Sequence, residues 1–305
     1  MTRPIAVLDA PSSIGIRPYD DGGARRLDLA PRALRDRGLV ERLHARDLGA
    51  VEPPPYRDFV RPAGGVRNER EVADYSMLLA QRVASALRGD AFVVLLGGDC
   101  SIVLGALLGA ASGGRGRPGL AYVDGHADFA TPATSRSGSA ANMCLAMAVG
   151  RGDMELARLG NTRPLVDERN VALLGRREDP DEQFSGEALL ARSAILDLPV
   201  RELRESGPAA AADRALERLT DATDGFWIHC DADVLDPAVM PAVDSPEPDG
   251  LNLDELVALL RPLAQHPRAL GLQLTIYDPR LDPDGACAGR LAAVLERVLR
   301  AEDHP

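Results

Sequence analysis

The chain has 305 residues, a formal net charge of −11 and a sequence pI near 5.0. This acidic balance argues against nucleic acid or an anionic membrane as the main partner, because both bind clustered Lys and Arg. No apolar run reaches the roughly 20 residues needed to cross a bilayer, and the first residues lack the apolar core of a signal peptide. We therefore expect a cytoplasmic protein with neither nucleic acid nor a membrane as partner.

The spacing of the cysteines also favours a reducing compartment such as the cytoplasm. The four cysteines show no CxxC pattern and lie in or beside apolar stretches, which favours reduced thiols over a disulfide framework. They are Cys100, Cys144, Cys230 and Cys287.

Short β-rich runs alternate with helical patterns along the chain. The predicted strands are Ile5–Leu8, Phe92–Leu96, Leu120–Val123, Val171–Leu174, Phe226–Cys230 and Leu272–Ile276. The predicted helices are Ala33–Ala45, Arg70–Leu87, Ile102–Ala110, Ala211–Leu219, Leu253–Leu263 and Arg290–Leu299. Alternation of this kind predicts an α/β fold with a parallel sheet covered on both faces.

The number of domains depends on how the Pro-rich stretch Glu52–Tyr56 is interpreted. It could be a linker, but its two sides have similar composition, so we interpret it as a loop. The chain is then one domain over residues 1–305.

Two acidic motifs follow predicted strands about a hundred residues apart. The first offers Asp124, His126 and Asp128, and the second offers Asp231 and Asp233. Side chains two residues apart at the end of a strand lie on one face, so each motif can converge on a metal ion. Five such ligands exceed what one closed ion needs, and two ions that share carboxylates fit better. An Asp after a strand is also a common helix cap, which is the alternative for either motif alone.

A third strand end precedes the loop Gly97–Ser101, and the carboxyl ends of parallel strands are where ligands bind. Carboxylates and a single imidazole favour Mn²⁺-like ions. Two such ions can bridge a water and deliver hydroxide to an electrophilic carbon, so the pattern predicts hydrolysis.

At these motifs the sequence resembles the ureohydrolase family, which includes arginase and agmatinase. The matching stretches, in chain order, are Gly97-Gly-Asp-Cys100-Ser101, Asp124-Gly-His126-Ala-Asp128 to Pro132, Asp231 to Pro237, and Ser245 to Leu251. The resemblance implies a three-layer α/β/α sandwich with a central parallel sheet. It also implies two Mn²⁺ ions bridged by a hydroxide that attacks a guanidinium-type carbon and releases urea and an amine.

The resemblance assigns ligands position by position. One ion would be held by Cys100, Asp124, Asp128 and Asp231, and the other by Asp124, His126, Asp231 and Asp233. Asp124 and Asp231 would bridge, and Asp128 would also be essential for turnover. The family also leads us to expect a homo-oligomer, a trimer or a hexamer.

Two departures from the family concern the metal and the proton. Cys100 stands where the family has His, and a thiolate shifts metal preference towards Zn²⁺, Fe²⁺ or Co²⁺. A buried structural thiol is the alternative for this residue. Ala141 stands where arginases carry a His that assists proton transfer. His229, two residues before Asp231 on the same strand face, is a candidate catalytic group, or else a buried histidine that supports the site.

Other departures concern the substrate. Ile276 stands where arginases anchor the guanidinium with Glu, which argues against arginine itself. Asp179, Asp244 and Glu247 are the candidate substrate-binding residues, although each could instead stabilise a turn. A small cationic or guanidino-type substrate is expected.

Three functions compete. The leading one is a binuclear metal hydrolase that cleaves a C–N bond in a guanidino, N-hydroxyguanidino, amidino or formimidoyl compound. The second is an amidohydrolase or deacylase on the same fold, with Tyr277 stabilising an oxyanion. The third is a metal-binding homologue without turnover, and the retention of all five Asp and His ligands argues against it.

Overall fold

The computed structural model describes residues 3–57, 64–152, 154–162, 164–177 and 186–300. Within these ranges eight parallel strands form one sheet in the order β2-β1-β3-β8-β7-β4-β5-β6. The strands are β1 Ile5–Ala10, β2 Arg46–Ala50, β3 Phe92–Gly97, β4 Gly119–Val123, β5 Val171–Leu174, β6 Leu196–Leu198, β7 Phe226–Asp231 and β8 Ala269–Thr275.

Helices connect these strands and cover the sheet. They are α1 Ala30–Arg35, α2 Leu39–Arg42, α3 Glu69–Arg88, α4 Ile102–Ala110, α5 Cys144–Ala148, α6 Glu187–Leu190, α7 Val200–Ser206, α8 Pro208–Thr220, α9 Leu253–Gln265 and α10 Ala286–Leu299. Every residue of β3, β4, β7 and β8 is buried, which requires helices on both faces of the sheet. The predicted α/β/α sandwich with a central parallel sheet is confirmed.

The two strands at the edges of the sheet, β2 and β6, were not predicted from the sequence. β2 and β6 are short and partly exposed, and they carry Arg or Asp among their few residues. An edge strand needs no continuous apolar run, because water covers part of its surface. Their sequences therefore lack the pattern that identified the six buried strands.

Some predicted boundaries were wrong for local reasons. The single helix Ala33–Ala45 is instead the pair α1 and α2, because Gly38 adopts a left-handed backbone with φ of 71° between them. The last predicted strand ends at Thr275 rather than at Ile276, whose φ of 67° takes it out of the strand. The short helices α5, α6 and α7 were not predicted.

The strand order places the motifs side by side. β3, β8, β7 and β4 are consecutive neighbours, so the loops after their carboxyl ends meet at one edge of the sheet. The loop after β3 lies so close to the N-terminal loop that a Cβ atom on Gly98 would be 1.8 Å from the carbonyl oxygen of Ser12. Only glycine fits at this position without a shift of the backbone. The buried Asp99 side chain ties the same loops together by accepting from the Gly15 amide at 3.1 Å.

Residues 52–56 lie in a loop, as expected, while the extent of a single domain over 1–305 stays a prediction. Among the helices in the described ranges, none is long and apolar enough to span a bilayer.

Candidate functional site

The end of β7 and the loops after β3, β4 and β7 bring potential metal-ligand atoms together in two groups. The first group is Cys100, Asp124, His229 and Asp231, and the second is Asp124, His126 and Asp233. Within each group the ligand atoms lie within 4.8 Å of one another, and Asp124 belongs to both. The structure thus brings the two acidic motifs and the Gly97–Ser101 loop to one place.

Short-range hydrogen bonds hold the carboxylates in position. Asp124 accepts from the His126 amide at 2.6 Å through Oδ1, and Asp231 accepts from the Asp233 amide at 2.8 Å. Asp233 in turn accepts from the Gly125 amide at 3.1 Å, which links the two motifs. These are the turns that Asp favours after a strand. The helix-cap alternative and the metal-site prediction are therefore compatible, because each carboxylate has a second oxygen left for the site.

We call the two ligand groups together the floor of the site, and Cys100 is part of this floor. Its buried thiol donates to Asp231 Oδ2 at 2.8 Å, and Thr275 Oγ1 lies 3.8 Å from the sulfur. Burial and the charge of Asp231 raise the pKa of the Cys100 thiol. Without a cation nearby the sulfur therefore carries its proton, and binding as a thiolate requires that proton to leave.

His126 lines the more open side of the site, with 31% of its side chain exposed. Its Nδ1 lies 3.0 Å from Asp233 Oδ2 and 3.7 Å from Asp124 Oδ1. Burial disfavours the charged imidazole, but the charges of Asp233 and Asp124 outweigh it and raise the pKa of His126. When no metal is bound, the protonated imidazole of His126 is therefore favoured by the charges of these two carboxylates.

Asp128 belongs to neither group in the described structure. Its Oδ2 accepts from the Tyr122 hydroxyl at 2.6 Å, and its backbone is left-handed with φ of 46°. Burial, and then the charge of Asp124, raise the pKa of its carboxyl. The residue still faces the same cavity as the groups, so its predicted role as a ligand stays a prediction.

The electrostatics of the floor suit a divalent cation. Burial and the charges of the neighbouring Asp233 and Asp124 raise the pKa of Asp231. Asp124 Oδ2 is buried and has no hydrogen-bond partner among the residues that the structure describes. Carboxylate, imidazole and thiolate donors around such an atom form a ligand set that borderline divalent ions accept. The residues present therefore fit metal binding.

A cavity of about 380 Å³ opens above the two groups. Its wall includes two predicted substrate residues, Asp244 and Glu247, and the two positions of divergence, Ala141 and Ile276. Asp179 lies outside the described residues. Four arginines also line the cavity: Arg17, Arg25, Arg136 and Arg177.

Asp244 does not offer a free carboxylate to a substrate. It forms a largely buried ion pair with Arg25, with side-chain exposures of 13% and 8%. Arg25 also donates to the Arg17 carbonyl and stacks 4.2 Å above the Tyr19 ring. The expected cation anchor is thus neutralised by a residue that the sequence analysis missed. Arg25 follows no motif, and only the tertiary contact with Asp244 identifies it.

Two predicted catalytic residues do not reach the cavity. Tyr277 is buried and donates its hydroxyl to Asp282 Oδ2 at 2.7 Å, and the described lining does not include it. This geometry disagrees with an oxyanion role for Tyr277. His229 is completely buried and stacked on Tyr122 with ring centroids 4.0 Å apart. Its ring is not part of the described cavity lining, although one ring nitrogen lies within the first ligand group.

Comparison with known proteins supports the resemblance. A model of the arginase family matches residues 10–300. An arginase from Brevibacillus brevis is 30% identical over 295 residues, covering 94% of this chain and 97% of that protein. The solved arginase from Bacillus caldovelox has a TM-score of 0.88 and 27% identity, covering 99% of this chain and 100% of the other. The arginase from Bacillus subtilis has a TM-score of 0.84 and 26% identity, with the same coverage. With the motifs, the sheet order and these matches in agreement, the chain belongs to the arginase family.

Proposed function

We propose that this protein is a metal-dependent hydrolase that cleaves a C–N bond in a guanidine-type compound. Membership of the family confirms the predicted enzyme class, a hydrolase acting on C–N bonds of amidines. The observation that carries the proposal is the pair of ligand groups that share Asp124 at the carboxyl ends of the central strands.

The proposed ligand assignment follows these groups with His229 left out of the first. Cys100, Asp124 and Asp231 would hold one ion, and Asp124, His126 and Asp233 would hold the other. Bound divalent ions supply the Lewis acidity that activates water for attack on the substrate carbon. Mn²⁺ is the ion we propose from the family and the carboxylates, while the Cys100 sulfur shifts the preference towards Zn²⁺, Fe²⁺ or Co²⁺.

The cavity wall determines which substrate can approach that floor. Ile276 offers no charge, and Asp244 is already paired with Arg25. A substrate cation therefore finds few available acids on the described wall, where the exposed Glu247 is the remaining predicted anchor. Arginine itself is accordingly a poor candidate, and a guanidine or amidine with a smaller or neutral substituent fits better.

Tyr122 supports the reaction from behind the site. Its hydroxyl holds the Asp128 carboxylate at 2.6 Å, which fixes the side chain towards the cavity. We propose that Asp128 serves the metal or the reacting water from this position. The deacylase alternative loses its oxyanion donor, because the Tyr277 hydroxyl is bonded to Asp282.

Metal analysis of the purified chain, together with a screen of guanidino and amidino compounds for urea or amine release, tests the proposal. We expect two metals per chain and turnover of at least one such compound. Asp128→Ala should abolish that turnover. Asp236→Asn is the matched control, because the Asp236 side chain accepts from the Ala238 amide in a turn, a bond that the Asn side-chain oxygen can keep. Two bound metals with carboxylate release from amides, and none from guanidines, would instead support the deacylase.

The Cys100 assignment has its own readout. Cobalt-loaded protein should show a sulfur-to-cobalt charge-transfer band, and Cys100→Ser should remove it. A band that survives this substitution would mean that Cys100 is a structural thiol. Assembly as a trimer or hexamer and a cytoplasmic location remain proposals from family resemblance, and sedimentation of the metal-loaded protein tests the first.

A further inference from the structure

Two buried polar atoms at the floor of the site face one another without hydrogen-bond partners. Asp124 Oδ2 and His229 Nε2 lie 3.6 Å apart, and neither is bonded to another atom of the described protein. An unpaired buried polar atom is costly, so this arrangement calls for a physical explanation. Either a cation belongs between the two atoms, or the imidazole nitrogen carries a proton directed at the carboxylate.

A buried tryptophan decides between these two states. Trp227 is fully buried on β7, and its indole Nε1–H can only donate a hydrogen bond. It lies 2.9 Å from Gln273 Oε1 on the neighbouring strand β8. An indole cannot accept, so the amide oxygen must face Trp227 and the amide NH₂ must point the other way.

The amide in turn sets the tautomer of the histidine. Gln273 Nε2 lies 2.8 Å from His229 Nδ1, and both residues are buried. Because the amide nitrogen donates, Nδ1 must accept and therefore carries no proton. The stacking of the His229 ring on Tyr122, with an angle of 15° between the planes, holds this orientation.

We propose that the chain Trp227–Gln273–His229 locks His229 as its Nε2–H tautomer, which makes it a positioning residue for Asp124 and excludes it from the metal ligands. In this state Nε2 has no lone pair for a metal, and its N–H points at the unpartnered Asp124 oxygen. The positioning role of His229 depends on the proposed role of Asp124 as a metal ligand. The tautomer of His229 is independent of that role.

Ligation by His229 would disrupt the chain of hydrogen bonds. A metal on Nε2 requires the proton on Nδ1, which would oppose the donating amide of Gln273 at 2.8 Å. Rotating the amide by half a turn would instead oppose its NH₂ to the indole N–H of Trp227 at 2.9 Å. Both arrangements leave a buried donor without an acceptor, so proximity to Cys100 and Asp231 does not make His229 a ligand.

The test reads the tautomer directly by NMR of ¹⁵N-histidine-labelled protein, first without metal and then with Zn²⁺ alone. The chain contains five histidines, and the signal that disappears in His229→Gln identifies His229. We expect the Nε2–H tautomer in both states. An Nδ1–H tautomer in the metal-free protein, or loss of the Nε2–H signal on zinc loading, would overturn the proposal.

A substitution in the hydrogen-bond relay Trp227–Gln273–His229 should reverse the tautomer of His229. In Gln273→Glu a carboxylate can accept from both Trp227 and His229 Nδ1–H, so the tautomer should reverse and free Nε2 for the metal. X-ray absorption of the zinc-loaded variant should then show one more imidazole ligand than the wild type. Gln265→Glu, a glutamine at the end of α9 that contacts backbone carbonyls, controls for the added charge.

Should Gln273→Glu fail to fold, Trp227→Phe removes the donor and lets the amide rotate. We then expect a mixture of both His229 tautomers, and an unchanged single tautomer would contradict the relay. Neither spectrum depends on turnover. A protein with the predicted tautomer and no activity on guanidines would therefore refute the proposed function and leave the relay intact.

Discussion

Tyr277→Phe separates a structural role of this residue from a catalytic one. The ring of Tyr277 is buried and would be retained, so the change removes only the hydroxyl that donates to Asp282 at 2.7 Å. A hydrogen bond to a charged acceptor contributes about 1.5–3 kcal/mol. Asp282 keeps the amides of Cys287 and Ala288, at 3.1 Å and 2.9 Å, so its charge is not left unsatisfied. We expect a loss near the lower limit, about 1.5 kcal/mol.

The pH dependence of that loss identifies its source. Burial disfavours the Asp282 carboxylate, but the hydrogen bonds from Tyr277, Ala288 and Cys287 outweigh it and lower its pKa. A lowered folded-state pKa stabilises the protein above the unfolded-state value of about 3.9, and this stabilisation disappears as the pH falls through the folded-state pKa. The difference between wild type and Tyr277→Phe should therefore be constant near pH 6–7 and shrink below about pH 4.

Urea unfolding of the metal-free protein measures both quantities. Tyr75→Phe is the matched control, because that buried hydroxyl donates to a neutral acceptor, the Val51 carbonyl, at 2.7 Å. The control should lose about 1 kcal/mol with no such pH dependence. If Tyr277→Phe is as stable as wild type but loses most of its turnover, our structural explanation is wrong and the oxyanion role of Tyr277 returns.

Three further tests, each built on one local contact, are read as shifts in urea midpoint. Gly98→Ala should cost more than about 4 kcal/mol, because the Ser12 carbonyl oxygen would lie 1.8 Å from the new Cβ. Gly289→Ala, in α10, should instead gain about 0.5–1 kcal/mol, because the new Cβ would meet no described atom within 4 Å beyond its chain neighbours and the backbone of its own helix. Arg25→Met should cost about 3 kcal/mol by leaving Asp244 buried and unpaired, and adding Asp244→Asn should recover part of it; additive losses would refute the ion pair. Asn252→Ala should cost about 1 kcal/mol, because Asn252 caps α9 through the amides of its first turn, and an unchanged midpoint would contradict that cap.

The floor of the site was predictable from sequence because its residues occur in short motifs. Asp124, His126, Asp231 and Asp233 follow apolar strands whose carboxyl ends must meet in a parallel sheet. The local turn then fixes each carboxylate. For such residues, chain-local geometry and the sheet order are together sufficient.

The wall and the support of the site could not be predicted in the same way. The pairing of Arg25 with Asp244 joins residues 219 positions apart, and nothing in either local sequence indicates it. The relay of Trp227, Gln273 and His229 depends on the register between β7 and β8, in which His229 lies directly opposite Gln273. Register between adjacent parallel strands is a tertiary property that apolar patterns do not encode.

The left-handed backbone of Ile276 bears on how this enzyme can diverge. Its amide donates to the Gly98 carbonyl at 2.9 Å, and the next residue pairs with Val243, so the surrounding loops impose the φ of 67°. A β-branched side chain is strained in the left-handed conformation, so an unbranched side chain at position 276 would lower the backbone strain. Position 276 can therefore exchange its side chain while the backbone stays in place. Mutation there offers a short evolutionary route to a new substrate preference without loss of the fold.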